Sequence, residues 1–153
     1  MTLHHFMLFL HIVGVAIWVG GMALLLLCLR PASQHLAPEQ RMTLWAGVLR
    51  RFFVLVWGAI ALLVLSGGAM LFKVGMAGAP PAWHAMTLTG GIMIGVFISI
   101  WLGPWAVLRS AVVREDWARG AIALNLIGQR VKFNLMLGVL TIAVATLGLG
   151  IRG

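Results

Sequence analysis

Two histidines lie near corresponding ends of two apolar stretches, and their imidazoles are the groups in this chain best suited to metal chemistry. His11 lies just inside the first stretch, and His84 lies at the start of the third. If both stretches are helices that enter a membrane from the same side, the two side chains lie at similar depth. Two imidazoles that face each other across a helical bundle can ligate a haem iron axially, with the flat macrocycle between the helices. We therefore expect a b-type haem with His11 and His84 as its axial ligands.

The residues that follow each histidine indicate how such a cofactor would be accommodated. Positions three and seven residues after each histidine share its helical face, and they are Gly14, Trp18, Thr87 and Gly91. Glycines leave room for a porphyrin edge, so we expect these four residues to line the pocket. Each histidine alone has a structural alternative: His11 hydrogen-bonded to a backbone carbonyl, and His84 as an interfacial residue next to Trp83.

A copper site is the alternative metal chemistry. His4, Met7 and His11 share one face of the first stretch, and His5 lies beside them. Imidazole together with thioether suits Cu(I). On this hypothesis the chain is a copper uptake or resistance protein that uses these residues together with His84.

Four long apolar stretches must position these residues, at about 6–29, 52–72, 86–108 and 131–151. Each has the ~20 residues needed to cross a hydrocarbon core of ~30 Å. A continuously apolar segment satisfies its backbone hydrogen bonds in lipid by forming a helix. The sequence therefore predicts one domain over residues 1–153, an all-α integral membrane four-helix bundle with up-down topology.

Local features predict how the helices are connected. We expect Pro31 to end the first helix, and residues 39–50 to form a short interfacial helix before the second. The glycines and prolines of 75–81 predict a clear break between the second and third helices. Trp45 and Trp105 fall near predicted boundaries, where indoles favour the headgroup zone.

The basic residues predict the orientation of the bundle. Nine of them fall in the first and third connections: Arg30, Arg41, Arg50, Arg51, Arg109, Arg114, Arg119, Arg130 and Lys132. The other side has only Lys73 and Arg152. We therefore expect a cytoplasmic basic side and two non-cytoplasmic termini, in a bacterial inner membrane. The net charge of +8 flanks the apolar stretches, which favours the lipid bilayer, through its anionic headgroups, over nucleic acid as the partner.

Small residues recur every four positions in the third stretch and at alternating intervals of four and three positions in the fourth. In the third stretch they are Thr87, Gly91, Gly95, Ser99 and Gly103, and in the fourth they are Asn134, Gly138, Thr141, Ala145 and Gly148. Such rows let another helix approach closely. They predict helix packing, including packing between copies in a homo-oligomer. A non-catalytic membrane subunit that binds partner helices is therefore a third hypothesis. Asn134 could bond a neighbouring helix, a cofactor propionate or a quinone.

Other chemistries find no support in the sequence. The apolar stretches contain no Asp or Glu to relay protons or coordinate Na⁺, which argues against a coupled transporter. The chain also has no phosphate loop and no nucleophile elbow.

Several short motifs resemble a known family. His11-Ile-Val-Gly-Val-Ala-Ile-Trp18-Val-Gly20-Gly21 resembles the first-helix signature of the copper resistance protein D (CopD) family. Arg51-Phe52 before the second helix and Ser66-Gly67-Gly68 near its end are similar to that family as well. Together with Trp83-His84, the arrangement resembles HemJ-type protoporphyrinogen oxidases.

The two resemblances imply different cofactors. The CopD likeness implies copper handling, whereas the HemJ likeness implies a b-type haem with His11 as a ligand. HemJ-type proteins carry a lysine shortly after the helix 3 histidine, but Ala85, Met86 and Thr87 follow His84 here. We therefore do not extend porphyrinogen oxidation to this chain. We expect a membrane haem protein in electron transfer or membrane redox chemistry, with a redox partner or quinone.

Overall fold

Four long helices make up the protein. The computed structural model describes residues 3–75 and 77–147, in which helices α1 (Leu3–His35), α2 (Pro38–Val74), α3 (Pro81–Val113) and α4 (Trp117–Leu147) follow one another and no strand occurs. All four are long and apolar enough to cross a membrane. The predicted all-α four-helix fold is therefore confirmed.

Contacts between the helices establish the up-down arrangement. An early residue of α1, His11, meets Ser66 late in α2, whereas Ser33 at the end of α1 meets Trp45 near the start of α2. Helices α3 and α4 pair in the same antiparallel way. One end of the bundle therefore carries His11 and His84, and we call it the histidine end. The opposite end carries the connections rich in arginine, and we call it the basic end.

The helices are longer than the apolar stretches, and they extend mainly at the basic end. Helix α2 begins at Pro38 rather than near residue 52, and α4 begins at Trp117 rather than near residue 131. Proline is well tolerated in the first helical turn. Met42 and Leu49 are buried on one face of the extension, so tertiary packing continues the helix beyond the membrane-spanning segment. The expected separate interfacial helix at 39–50 is therefore wrong.

Pro31 does not end α1 as expected. Residues Leu25–Leu29 form a π-helix turn, in which the amide of Arg30 donates to the carbonyl of Leu25. A π-turn is a common accommodation within a helix, and here it comes immediately before the proline. The helical path then continues through Pro31 to His35.

The expected break between α2 and α3 is confirmed. Gly75 follows α2 with φ of 76°, a left-handed conformation that glycine adopts without steric cost. Helix α3 then begins at Pro81 and is itself interrupted at Gly103, before Pro104. Nη1 of Arg130 in α4 donates to the Ser99 carbonyl at 2.8 Å, which secures this interruption against α4.

The core of the bundle is aromatic. The ring of Phe53 packs edge-on against Phe97 and Trp105, with centroids 5.4 and 5.1 Å apart. Trp45 and Trp105 are both buried, and Trp45 donates its indole N–H to the Ser33 hydroxyl. These two indoles therefore face the core of the bundle, and their expected position at headgroup depth stays a prediction.

The core ends before the histidine end. Toward that end, the last buried residues of the four helices are Gly14, Ser66, Met93 and Gly138. Beyond them, every described helical residue is at least partly exposed. The outer part of the histidine end is therefore loosely packed compared with the rest of the bundle.

The two small-residue rows behave differently. On α4, Asn134 and Gly138 are buried, and the Asn134 amide donates to the Met93 carbonyl at 3.0 Å. On α3, a Cβ added at Gly91 or Gly95 would meet no atom within 4 Å, and Ser99 is exposed. The α3 row therefore faces out of the chain, which corrects the expectation of close packing there. Gly148 of the α4 row lies outside the described residues.

Candidate histidine site

His11 is held at the contact between α1 and α2. Its Nδ1 lies 3.1 Å from the Oγ of Ser66, a buried serine on α2. The Ser66 hydroxyl donates to the carbonyl of Leu62, one turn earlier, at 2.5 Å. A serine hydroxyl has a single hydrogen, so with that hydrogen on Leu62 the Ser66 oxygen accepts from His11. This arrangement corresponds to the tautomer protonated at Nδ1, in which Nε2 keeps its lone pair.

Gly67 makes room for the imidazole. A Cβ added at Gly67 would lie 3.4 Å from Cε1 of His11 and 3.6 Å from its Nδ1. At the adjacent Gly68, the same atom would meet nothing within 4 Å. The His11 ring therefore packs against the backbone of α2 at Gly67, next to its hydrogen-bond partner.

Gly14 serves the close approach of α1 to α2. A Cβ at Gly14 would lie 3.0 Å from the side chain of Leu63 and 3.2 Å from the carbonyl oxygen of Ala59. The space beside Gly14 is thus filled by α2. This corrects the expectation that Gly14 leaves open room next to His11.

Trp18 closes the site toward the core. Its indole is buried and meets the ring of Phe97 on α3 edge-on, with centroids 6.3 Å apart. Trp18 follows His11 by seven residues, or about 10 Å along the helix. Helices α1 and α3 therefore touch below His11, on the side of the basic end.

His84 lies at the same end of the bundle but in a different setting. It is exposed near the start of α3, and no hydrogen bond or ring contact joins it to His11 within the described residues. Thr87 is exposed, and its hydroxyl donates to the carbonyl of Trp83. Gly91 is exposed as well. The structure therefore places the two histidines at one end without bringing their side chains into contact.

The residues of the copper hypothesis follow one another along the start of α1. His4 and His5 are exposed, with ring centroids 5.9 Å apart, and Met7 is half-buried. Residues 3–75 and 77–147 contain no group of three or more His, Cys, Asp or Glu side chains that could hold a metal ion. His35 lies at the other end of α1, about 36 Å from His11 along the helix axis.

The sequence did not indicate Ser66 as the partner of His11. The two residues are 55 positions apart, and neither helical periodicity nor motif spacing relates them. The pairing becomes visible only with the observed helix bounds, because antiparallel neighbours keep a constant offset from the connection that joins them. His11 and Ser66 lie 24 and 28 residues from its two ends, His35 and Pro38, and Gly14 and Leu63 lie 21 and 25 residues from the same ends.

No family model matches the chain, and no curated protein or solved structure matches it either. The function is therefore inferred from the fold and from the geometry around His11. The likeness to the CopD and HemJ-type proteins stays a prediction from the short motifs that suggested it.

Proposed function

We propose that this protein binds b-type haem at the histidine end and takes part in electron transfer or membrane redox chemistry. The single observation that supports the proposal is the His11–Ser66 hydrogen bond. A metal-bound histidine almost always donates its second ring N–H to a neighbouring acceptor, which fixes the tautomer and the ring orientation. Ser66 would be this acceptor for Nδ1, and Nε2 would then be the ligand nitrogen.

The donor chemistry at His11 fits a haem ligand. A neutral imidazole with an unprotonated nitrogen is the usual axial ligand of a b-type centre. Helices α1 and α2 form one hairpin, and α3 and α4 form the other. The helical residues beyond Gly14 and Met93 are at least partly exposed, so the two hairpins are not closely packed against each other at this end. That loose packing favours a cofactor between α1 and α3, next to the His11 ring.

His84 is the proposed second ligand. It lies at the start of α3, at the same end of the bundle as His11. Its exposed side chain makes no hydrogen bond within the described residues. Among those residues it therefore has no partner to give up when it ligates a metal. The distance that separates it from His11 would close by side-chain rotation and by approach of the two hairpins.

Bound haem would supply one-electron chemistry, and the protein would supply orientation and an apolar boundary. Ser66 would hold the His11 ring, and Gly67 would admit it close to α2. Trp18 would separate the site from the core. We further propose that the electrons pass to a redox partner or a quinone.

The visible spectrum of the protein purified in detergent tests the proposal. We expect sharp α and β bands on reduction, which are typical of a low-spin centre with two imidazole ligands. His11→Ala and His84→Ala should each abolish this spectrum or convert it to a five-coordinate type. The control His35→Ala removes a histidine at the basic end and should leave the spectrum intact.

The remaining outcomes point to the alternatives. Copper without iron in metal analysis would replace haem with the copper hypothesis, in which His4, His5 and Met7 join His11. If neither metal co-purifies from cells supplied with both, the proposal fails and a non-catalytic membrane subunit takes its place. If His11→Ala abolishes the spectrum but His84→Ala does not, the haem proposal stands and His84 is not the second ligand.

A further inference from the structure

A cavity at the basic end combines two guanidinium groups with an apolar wall. Its volume is about 110 Å³, and it lies between the end of α1, the start of α2 and the first turns of α4. Leu25, Leu124 and Ile127 are among its apolar lining residues, and Arg30 and Arg41 are its charged ones. No carboxylate lines it. The cavity therefore has two positive charges that no acidic side chain of its wall neutralises.

Arg41 is left with an unused donor. Its Nε is buried and has no hydrogen-bond partner. A buried N–H without an acceptor is unusual in native proteins, because the lost hydrogen bonds to water are not replaced. Of the ligand classes, an anion with several oxygen atoms best suits a cavity lined by two guanidinium groups.

The second arginine is positioned by the neighbouring helix. A Cβ added at Gly128 of α4 would lie 3.5 Å from Nη1 of Arg30, so the guanidinium packs directly over the backbone there. On the other side of the cavity, Trp45 donates to the Ser33 hydroxyl, which itself bonds the carbonyl of Arg30. These contacts fix the end of α1, which carries Arg30, against the start of α2, which carries Arg41.

We propose that this cavity binds the phosphate of an anionic phospholipid. Arg30 and Arg41 would contact the phosphate oxygens, and the acyl chains would follow the apolar surface toward the spans. Ala121 and Asn125 are exposed lining residues, so they mark the side on which the cavity opens. The cavity is too small for a nucleotide, and its apolar wall within a membrane-spanning bundle favours lipid over a soluble phosphate compound.

Lipid titration of the purified full-length chain in a neutral detergent tests the site. The probes are dioctanoyl phosphatidylglycerol, dioctanoyl phosphatidylcholine and inorganic phosphate, with binding followed by native mass spectrometry and by the midpoint of thermal unfolding. We expect phosphatidylglycerol to bind and to raise the midpoint. Phosphatidylcholine has a phosphate but no net charge, and we expect it to bind more weakly. Inorganic phosphate lacks acyl chains and should have little effect.

Paired variants separate the cavity from general surface charge. Arg30→Gln with Arg41→Gln should weaken phosphatidylglycerol binding on the order of 20-fold, as expected for the loss of two charges near an anionic headgroup. The matched control, Arg50→Gln with Arg51→Gln, removes the same charge from two exposed residues at the same end and should retain nearly full binding. Ala121→Phe keeps every charge and should block the cavity at its opening.

Equal losses of phosphatidylglycerol binding in the two double arginine variants would show a diffuse attraction to surface charge and would overturn the site. Equal binding of phosphatidylcholine would overturn the selection for anionic lipid, and an equal response to inorganic phosphate would show a free-anion site instead. If the double arginine variant does not fold, Ala121→Phe decides, since unchanged phosphatidylglycerol binding by that variant contradicts the proposal.

Discussion

The imidazole of His11 and the hydroxyl of Ser66 lie on different helices, with Nδ1 and Oγ 3.1 Å apart. This single bond ties the start of α1 to the end of α2. With the serine hydrogen used within α2, the bond corresponds to an imidazole protonated at Nδ1.

A double-mutant cycle measures the coupling between these two side chains. We expect His11→Ala and Ser66→Ala to be less destabilising together than the sum of their separate effects, by about 1 kcal/mol, as for one hydrogen bond. The measurement is the free energy of unfolding in detergent. Strict additivity would mean that the bond does not form in the folded protein.

Ser66→Ala also tests the cofactor proposal through affinity. Loss of the partner of a metal-ligating histidine typically weakens metal binding about 10- to 100-fold. We therefore expect haem to bind Ser66→Ala correspondingly more weakly than the unaltered protein in a titration of cofactor-free protein. An unchanged affinity would count against His11 as the ligand.

Gly67 and Gly68 form a matched pair around the imidazole. A valine at Gly67 would push its methyl groups into the His11 ring, whereas a valine at Gly68 would meet open space. We expect Gly67→Val to destabilise the protein by about 1–3 kcal/mol, the usual range for overpacking, and Gly68→Val to be tolerated. His11→Ala should restore stability to Gly67→Val. Failure of that rescue would show that another contact limits the site.

Gly20 and Gly21 test the packing of α1 against α2. A Cβ at Gly21 would overlap the ring of Phe52, whereas a Cβ at Gly20 would meet nothing within 4 Å. Gly21→Ala should therefore lower the thermal unfolding midpoint. Gly20→Ala should leave it unchanged or raise it, because alanine favours the helix by up to about 1 kcal/mol. The same response from both variants would contradict this helix pairing.

The orientation of the bundle is open to a direct test. The charge distribution predicts a cytoplasmic basic end and both termini on the other side. Reporter fusions after Gly153 and within the turn at Arg114 should therefore report opposite compartments, with the Arg114 fusion cytoplasmic. A cytoplasmic C-terminus would invert the orientation and place the histidine end in the cytoplasm.

Helix number and type could be read from the sequence, because a span needs a long apolar run and lipid leaves the backbone few alternatives. Helix ends could not. The extension of α2 back to Pro38 depends on the burial of Met42 and Leu49 against other helices, which hydropathy does not encode. The burial of Trp45 and Trp105 could not be read for the same reason, since a boundary position does not distinguish an indole facing lipid from one facing the core.

The candidate site divides similarly between what the sequence could and could not predict. His11 was predicted from its type and its place in an apolar helix. The contact of Ser66 with His11 depends on the pairing of α1 with α2. Gly14 was expected to border open space, but the side chain of Leu63 occupies that space. In each case the missing information was the identity of the neighbour across the helix contact, which a single helix cannot supply.

The small-residue rows of α3 and α4 provide the sharpest contrast between spacing and environment. Both rows place small residues on one helical face. A Cβ added at Gly138 would lie 3.0 Å from the Val19 side chain and 3.3 Å from that of Met93, whereas a Cβ added at Gly95 would meet nothing within 4 Å. We expect Gly138→Leu to destabilise the bundle by about 1–3 kcal/mol through overpacking. Gly95→Leu should leave the thermal stability of the monomer unchanged.

If copies of the chain associate through the exposed α3 row, Gly95→Leu should reduce that association without unfolding the protein. Light scattering of the detergent-solubilised protein, with unfolding followed in parallel, distinguishes the two effects. A large loss of stability in the Gly95→Leu monomer would mean that α3 is rotated relative to the arrangement described above. Gly91→Leu is the matching second variant, because Gly91 lies one turn away on the same exposed face.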